Sequence, residues 1–279
     1  MADNETHGSA THTGDAAVAR ELPGDLVAAL RTAASLPRLL VASDFDGCIS
    51  PIVAHPADAR PIPASIDALE SLAAMTSTTA AIISGRALAD LRELSGSPTG
   101  VHLVGSHGSE FDTGFALAIT DDDTALLSRI VDELNTIAAD YEGVTVESKP
   151  VSAALHVRNA SPADGQAALE RVRTGAATWD GVQSTEGKAV IELAVIDTDK
   201  GVAIHTLREQ SGADAVVYLG DDVTDEKAFR VLTGNDVGIK VGDGETDAGY
   251  RIGDPDDVAT TLTTIAALRG DAIASWPTL

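Results

Sequence analysis

Five short runs of apolar residues, each stopped by turn residues, set the rhythm of this chain. They are Leu39-Leu40-Val41-Ala42, Thr78 to Ile83, Val101 to Val104, Ala215 to Leu219 and Val237 to Val241. Continuous apolar runs of this length are what strands buried on both faces of a parallel sheet require. Helical spacings lie between them: Leu26, Val27 and Leu30; Ile66, Leu69, Leu72 and Ala73 behind a capping Ser65; Leu88, Leu91 and Leu94; Val202, Ile204 and Leu207; Phe229 to Leu232; and Pro255 to Leu268. Ala248 to Ile252 adds a short edge. Strand and helix in alternation predict an α/β fold, a Rossmann-like three-layer core around a parallel sheet.

The pattern changes near Phe111. A long helix is predicted from Asp121 to Tyr141, then a hairpin (144–147 and 151–158) turning at Lys149-Pro150. Pro162 starts a second helix, and a second hairpin (181–186 and 189–193) turns at Gly187-Lys188. Helix then hairpin, twice, is an α+β unit of its own. The expected domains are therefore a core made of 22–112 and 198–279, an inserted unit over 113–197, and a disordered tail over 1–21. Four prolines (51, 56, 61 and 63) keep the stretch after the first strand irregular. A loop there would cover a site at that strand's end.

Composition narrows the function. A net charge of −24 argues against sequence-independent nucleic-acid binding and against anionic membrane surfaces, both of which need cationic patches. An anionic substrate would need a local cation or metal to offset that field. Cys48 is the only cysteine, so no intrachain disulfide forms, and it reads as a small buried filler. His7 and His12 read as solvated tail residues. With no signal pattern and no apolar run near the 18 or so residues that span a bilayer, the expected location is cytoplasmic.

The chemistry sits after the strands. In order come Asp44-Phe45-Asp46-Gly47, Ser84-Gly85-Arg86, Lys200-Gly201 opening a helix, and Gly220-Asp221-Asp222-Val223-Thr224-Asp225-Glu226. Taken singly, an Asx-rich turn or an ordinary serine cap explains each of the first two. Taken together they make one site, because ligands of open α/β sheets bind outside the carboxyl ends of the strands. Asp44 and Asp221, with Asp46 beside them, form the expected Mg²⁺ set, which leaves positions for water and phosphate. Asp44 is the candidate nucleophile and Asp46 the candidate acid and base. Ser84 and Lys200 are candidates for the equatorial phosphoryl oxygens. Asp222 and Asp225 would support the metal shell. Lys200 is preferred over Lys188 because it opens the helix before the acidic strand end.

These motifs, in this order over 39–225, resemble the four motifs of the haloacid dehalogenase superfamily of phosphotransferases. Finer matches resemble the trehalose-6-phosphate phosphatases: Asp44-x-Asp46-Gly47-x-x-Ser50-Pro51-Ile52, Ser84-Gly85-Arg86, Gly105-x-His107-Gly108-x-Glu110, Glu186-Gly187-Lys188-x-x-x-Glu192 and Gly220-Asp221-Asp222-x-Thr224-Asp225-Glu226. The resemblance covers nearly the whole chain from about residue 36. It implies Mg²⁺-dependent hydrolysis of trehalose 6-phosphate through an aspartyl phosphate on Asp44, with the inserted unit acting as a cap. Sugar hydroxyls would be bound by Glu147, Lys149, Lys188 and Glu192 of the cap hairpins, with His156 and Arg158 as further candidates. Arg86, His107 and Glu110 complete the expected substrate set. The acidic tail offers a place for a partner such as trehalose-6-phosphate synthase. Two departures stand out: Cys48 replaces the family's usual Thr, and Ala194-Val195 replaces its Arg-Pro. The rival readings are a superfamily phosphatase acting on a sucrose or mannosyl ester, and a catalytically silent sugar-phosphate sensor.

Overall fold

A computed structural model describes residues 21–115, 119–187 and 189–276. The chain opens with helix α1 (Gly24–Ser35), strand β1 (Leu39–Ser43), helix α2 (Pro63–Ala73), β2 (Thr78–Ile83), α3 (Leu88–Ser95) and β3 (His102–Gly105). Two short strands follow, β4 (Glu110–Phe111) and β5 (Gly114–Phe115). The second unit contains α4 (Asp121–Ala139), β6 (Thr145–Ser148), β7 (Ser152–His156), α5 (Pro162–Thr174), β8 (Gln183–Gly187) and β9 (Val190–Ala194). The chain then returns through α6 (Lys200–Ser211), β10 (Ala215–Gly220), α7 (Glu226–Arg230), β11 (Val237–Val241), β12 (Tyr250–Ile252) and α8 (Pro255–Ala274).

The larger sheet has the order β12-β11-β10-β1-β2-β3-β4-β5. From β12 to β3 every pairing is parallel, and β4 and β5 extend the edge antiparallel. The sheet is thus mixed rather than purely parallel. The hairpin escapes sequence reading because each of its strands is only two residues long. β1 is central: successive strands run outward from it in one direction as β2 and β3, then in the other as β10 and β11. Its carboxyl end is the topological switch point, where diverging connections leave a crevice.

Alternation along the strands divides the core. Leu39, Val41, Ala80, Ile82, Val217 and Leu219 face α1, α2, α3 and α8 in one apolar cluster. Leu40, Ala42, Ala81, Ile83, Val216 and Tyr218 face α6 and α7 in another. The second unit has its own core, where Ile130, Leu134 and Ile137 of α4 and Ala168 and Val172 of α5 cover the antiparallel sheet β6-β7-β9-β8.

Local signals set several boundaries. Thr120 caps α4 with a reciprocal Thr120–Asp123 box. Ser65 does not cap α2: Pro63, whose ring fixes a helical φ, starts the helix one turn earlier and leaves Ser65 buried inside it. Cys48 is fully buried beside Phe45 and Ile49, and burial pushes its thiol up, as suits an inert filler. No helix among the described residues is long and apolar enough to cross a membrane. The tail over 1–20, with His7 and His12, and Lys188 lie outside the described residues.

Candidate active site

β1 ends at Ser43, and the next residue, Asp44, still donates its amide to Leu219 O of β10 at 2.9 Å. That bond fixes the nucleophile candidate between two parallel strands. Its carboxylate is held at both oxygens: Oδ1 accepts the Phe45 amide at 2.6 Å and Oδ2 the Lys200 ammonium at 2.6 Å. Gly47 makes the turn possible. Its φ is +77°, and a Cβ there would lie 2.1 Å from Asp221 Oδ2. The turn after β1 and the acidic loop after β10 are therefore in contact because residue 47 has no side chain.

Asp221 follows β10, the strand beside β1. Ligand oxygens of Asp44, Asp221 and Asp225 lie within 4.8 Å of one another. Asp225 is buried and fully engaged. It accepts from Lys200 at 2.7 Å, Tyr218 Oη at 2.5 Å, and the amides of Asp221 at 3.0 Å and Asp222 at 2.9 Å. Gly220 permits this packing, since a Cβ there would sit 2.3 Å from Asp225 Cγ.

Three carboxylates against Lys200 leave excess negative charge in a buried place. Burial pushes Asp44 well above the usual carboxylate range, against the opposing pull of Lys200, and the charges of Asp225 and Asp221 add to the rise. Asp221 is pushed up to about 7, again chiefly by burial and then by the charge of Asp225. Burial also presses on Asp225, but Lys200 and the hydrogen bonds outweigh it and hold its carboxyl low. Lys200 is buried, and the charges of Asp225 and Asp44 more than offset that cost, so its ammonium is held far above neutrality. Lys200, shared by Asp44 and Asp225, does not offset the charge of all three carboxylates, and an all-oxygen donor set of this kind fits a hard divalent cation.

Asp46 lies elsewhere in the turn. Its two oxygens are taken by Arg86, from Nε at 2.6 Å and Nη2 at 2.7 Å. The Asp46 carboxylate, expected among the metal ligands, is therefore outside the three-carboxylate group and in a bidentate fork. Arg86 also stacks on Phe45, 5.7 Å from the ring centroid. Ser84, buried after β2, accepts the Arg86 amide at 3.2 Å through its hydroxyl.

The cap strands reach this turn. Lys149 Nζ donates to the Gly85 carbonyl at 2.9 Å and to Glu192 Oε2 at 3.0 Å. Glu192 also accepts from Ser152 at 2.7 Å and stands 3.5 Å from His107 Nε2. Burial alone would raise its carboxyl, but His107, Lys149 and Ser152 together hold it well below the usual range. Gly85 makes room for His107, since a Cβ there would lie 2.4 Å from the ring. Glu147 pairs with His156 at 2.8 Å on the same cap sheet.

Three expected site residues are placed otherwise. Glu110 is buried on β4 and accepts from Ser106, so it holds the 106–108 turn that carries His107. Asp222 is exposed and accepts the Val223 amide at 2.7 Å. Arg158 is exposed beyond the end of β7.

Two residues escaped sequence reading. Tyr218 supports Asp225 from within β10, and burial and the adjacent carboxylates keep its phenol protonated. Lys240, buried in β11, donates to the Asp221 carbonyl at 2.6 Å. A charged residue inside the apolar run 237–241 was the available signal, because a buried lysine needs a partner.

The family model for trehalose-phosphatase matches residues 42–252. A trehalose-phosphate phosphatase of Mycobacterium avium (strain 104) is 39% identical over 208 residues, covering 70% of this chain and 51% of the relative. One from Mycobacterium marinum is 37% identical over 255 residues, covering 86% and 64%. The chain thus spans about half to two thirds of the length of these curated relatives. The solved C-terminal domain of a Candida albicans trehalose-6-phosphate phosphatase superposes with a TM-score of 0.72 at 25% identity, covering 87% of this chain and 95% of that one. The Asp44–Lys200–Asp221 site and its capping unit both fall within the matched span, and the chain belongs to the trehalose-phosphatase family.

Proposed function

We propose that this protein is a phosphoric monoester hydrolase that converts trehalose 6-phosphate to trehalose and phosphate with Mg²⁺ as cofactor. The observation that carries the reading is the buried Asp44 carboxylate, held by Lys200 beside Asp221 at the sheet's switch point. Asp44 and Asp221 would hold the metal. When bound, Mg²⁺ supplies positive charge that lets an anionic phosphate approach a carboxylate.

The remaining steps belong to the chain. Asp44 attacks phosphorus, the bond to the sugar 6-oxygen breaks, and Asp46 gives that oxygen its proton. Asp46 first exchanges the Arg86 fork for the leaving oxygen, which frees Arg86 for the substrate. Asp46 then takes a proton from the water that attacks the aspartyl phosphate, which releases phosphate and restores Asp44. Lys200 and Ser84 receive the equatorial oxygens where transition-state charge gathers. Asp225 holds Lys200 in place, with Asp222 behind it in the same loop. Glu147, Lys149, Lys188 and Glu192 of the cap (113–197), with His107, select the sugar, and Glu110 holds the turn that carries His107. A pocket built to bond hydroxyls rejects esters that lack them. We place the reaction in the cytoplasm, and the stretch 1–21 is our candidate contact for trehalose-6-phosphate synthase.

The test is phosphate release from trehalose, glucose and sucrose 6-phosphates, with Mg²⁺ or EDTA, by wild type and Asp44→Asn. Metal-dependent release from the trehalose ester, lost in the variant, is expected. Equal release from all three would sink the cap assignment. Release from none would favour a sensor.

A further inference from the structure

The turn Ser84-Gly85-Arg86 has three consecutive carbonyls, and each has a donor. Ser84 O accepts the His107 amide at 3.0 Å, and Arg86 O accepts the Ser106 amide at 2.7 Å. Both donors belong to the same large sheet unit as the turn. The middle carbonyl, Gly85 O, is held instead by Lys149 Nζ from the cap, at 2.9 Å. Lys149 is buried and its ammonium also bonds Glu192, which in turn stands beside His107, the ring packed against Gly85. The turn carries Ser84 and the Arg86 that grips Asp46. Its geometry is therefore finished by a residue from the other unit.

We propose that Lys149 is a positioning residue for the phosphate-binding turn as well as a ligand for sugar. An ammonium has three donors. Two are used by Gly85 O and Glu192, which leaves one for a sugar hydroxyl. Recognition of the sugar and alignment of Ser84 and Arg86 then pass through one side chain. Sugar specificity is expressed in kcat, because a cap that lacks its ligand holds the turn less well, and small misplacements of catalytic groups cost large factors in rate. The inference rests on the phosphatase reading above, and goes beyond it by giving a sugar-site residue an effect on a substrate with no sugar.

4-Nitrophenyl phosphate, which has no sugar hydroxyl, separates the two roles. In Lys149→Met the expected result is a fall in kcat for this ester of about tenfold, with KM within about twofold, since one charge-assisted bond to the turn is lost. Lys149→Gln, which keeps a neutral donor, should lose about threefold on the same argument. Amide hydrogen exchange, which needs neither substrate nor metal, gives a second reading: the His107 and Ser106 amides should exchange faster in both variants while the β1 and β10 amides stay protected. Unchanged kcat for the aryl ester and unchanged exchange at 106–107, with trehalose 6-phosphate turnover reduced, would make Lys149 a sugar ligand only and overturn the proposal. The exchange experiment decides alone if the wild type ignores the aryl ester. No hydrolysis of either ester by the wild type would instead refute the phosphatase reading.

Discussion

Lys200→Met removes the one cation that two buried carboxylates share. Lys200 and Asp225 are 1% and 0% exposed at their side chains, and Asp44 is 8% exposed. Deleting one partner of a buried pair costs about 3–5 kcal/mol, since the other charge is left without compensation. Asp225 keeps Tyr218 and two backbone amides as donors, which favours the lower end. A loss of about 3 kcal/mol lowers the melting temperature by roughly 6–12 °C for a protein of about this size. The pH dependence carries the signature. Lys200 is a main reason that the folded Asp225 titrates low, so the stability it contributes is present above the ordinary carboxylate range and is lost as pH falls. The deficit of the variant should be full at pH 7.5, hold to about pH 5 and shrink as pH falls below about 4, by up to about 1.4 kcal/mol per unit for one proton. Thermal melts of both proteins in EDTA across that range read it directly. Equal melting temperatures at pH 7.5, or a deficit that grows on acidification, would refute the assignment of Lys200 as the shared counter-ion.

Metal linkage should show the opposite slope. Asp221 is raised to about 7, so its contribution to stability is present below the ordinary carboxylate range and is lost as pH rises through 7. In EDTA the wild type should melt lower at pH 8 than at pH 5.5, and millimolar Mg²⁺ should recover the loss mainly at pH 8; an equal Mg²⁺ effect at both pH values would count against the site. Gly47→Ala forces a Cβ to within 2.1 Å of Asp221 Oδ2 at a φ of +77°, and turnover should fall by at least about tenfold while urea unfolding shows a stability loss of only about 1–2 kcal/mol, the cost of a left-handed backbone. Arg269→Met tests the fold apart from the site. This fully buried guanidinium donates to Ala34, Leu36, Pro37 and Ser77 carbonyls and to Thr78 Oγ1, so urea unfolding should show a loss of about 3 kcal/mol or more, with kcat at low temperature unchanged.

Much of the site could be read along the chain because a parallel sheet places the ends of its strands on one edge. Asp44, Ser84 and Asp221 each follow a recognisable apolar run, so finding the runs finds the edge. The insertion was legible for a similar reason: α4 and the two hairpins show a periodicity different from the segments around them. What could not be read were the partners. The Asp46–Arg86 fork joins residues 40 apart, and Lys149–Gly85 joins residues 64 apart across two sheets. Lys240 reaches the Asp221 carbonyl because the β10–β11 register sets Gly220 opposite Lys240. Shifting that register by one residue would send the side chain to the other face.

The sequence alone determined the alternation of strand and helix, the irregular stretch after β1, the acidic character of two strand ends, and the glycines that those turns need. These are local properties, set by steric limits and by periodicity. Tertiary structure decided which carboxylate is neutralised, which is fully bonded and which is left for a cation. It also decided that a cap lysine closes a core turn. Charge states and hydrogen-bond partners depend on burial and on register between distant segments, and neither quantity exists until the chain has folded.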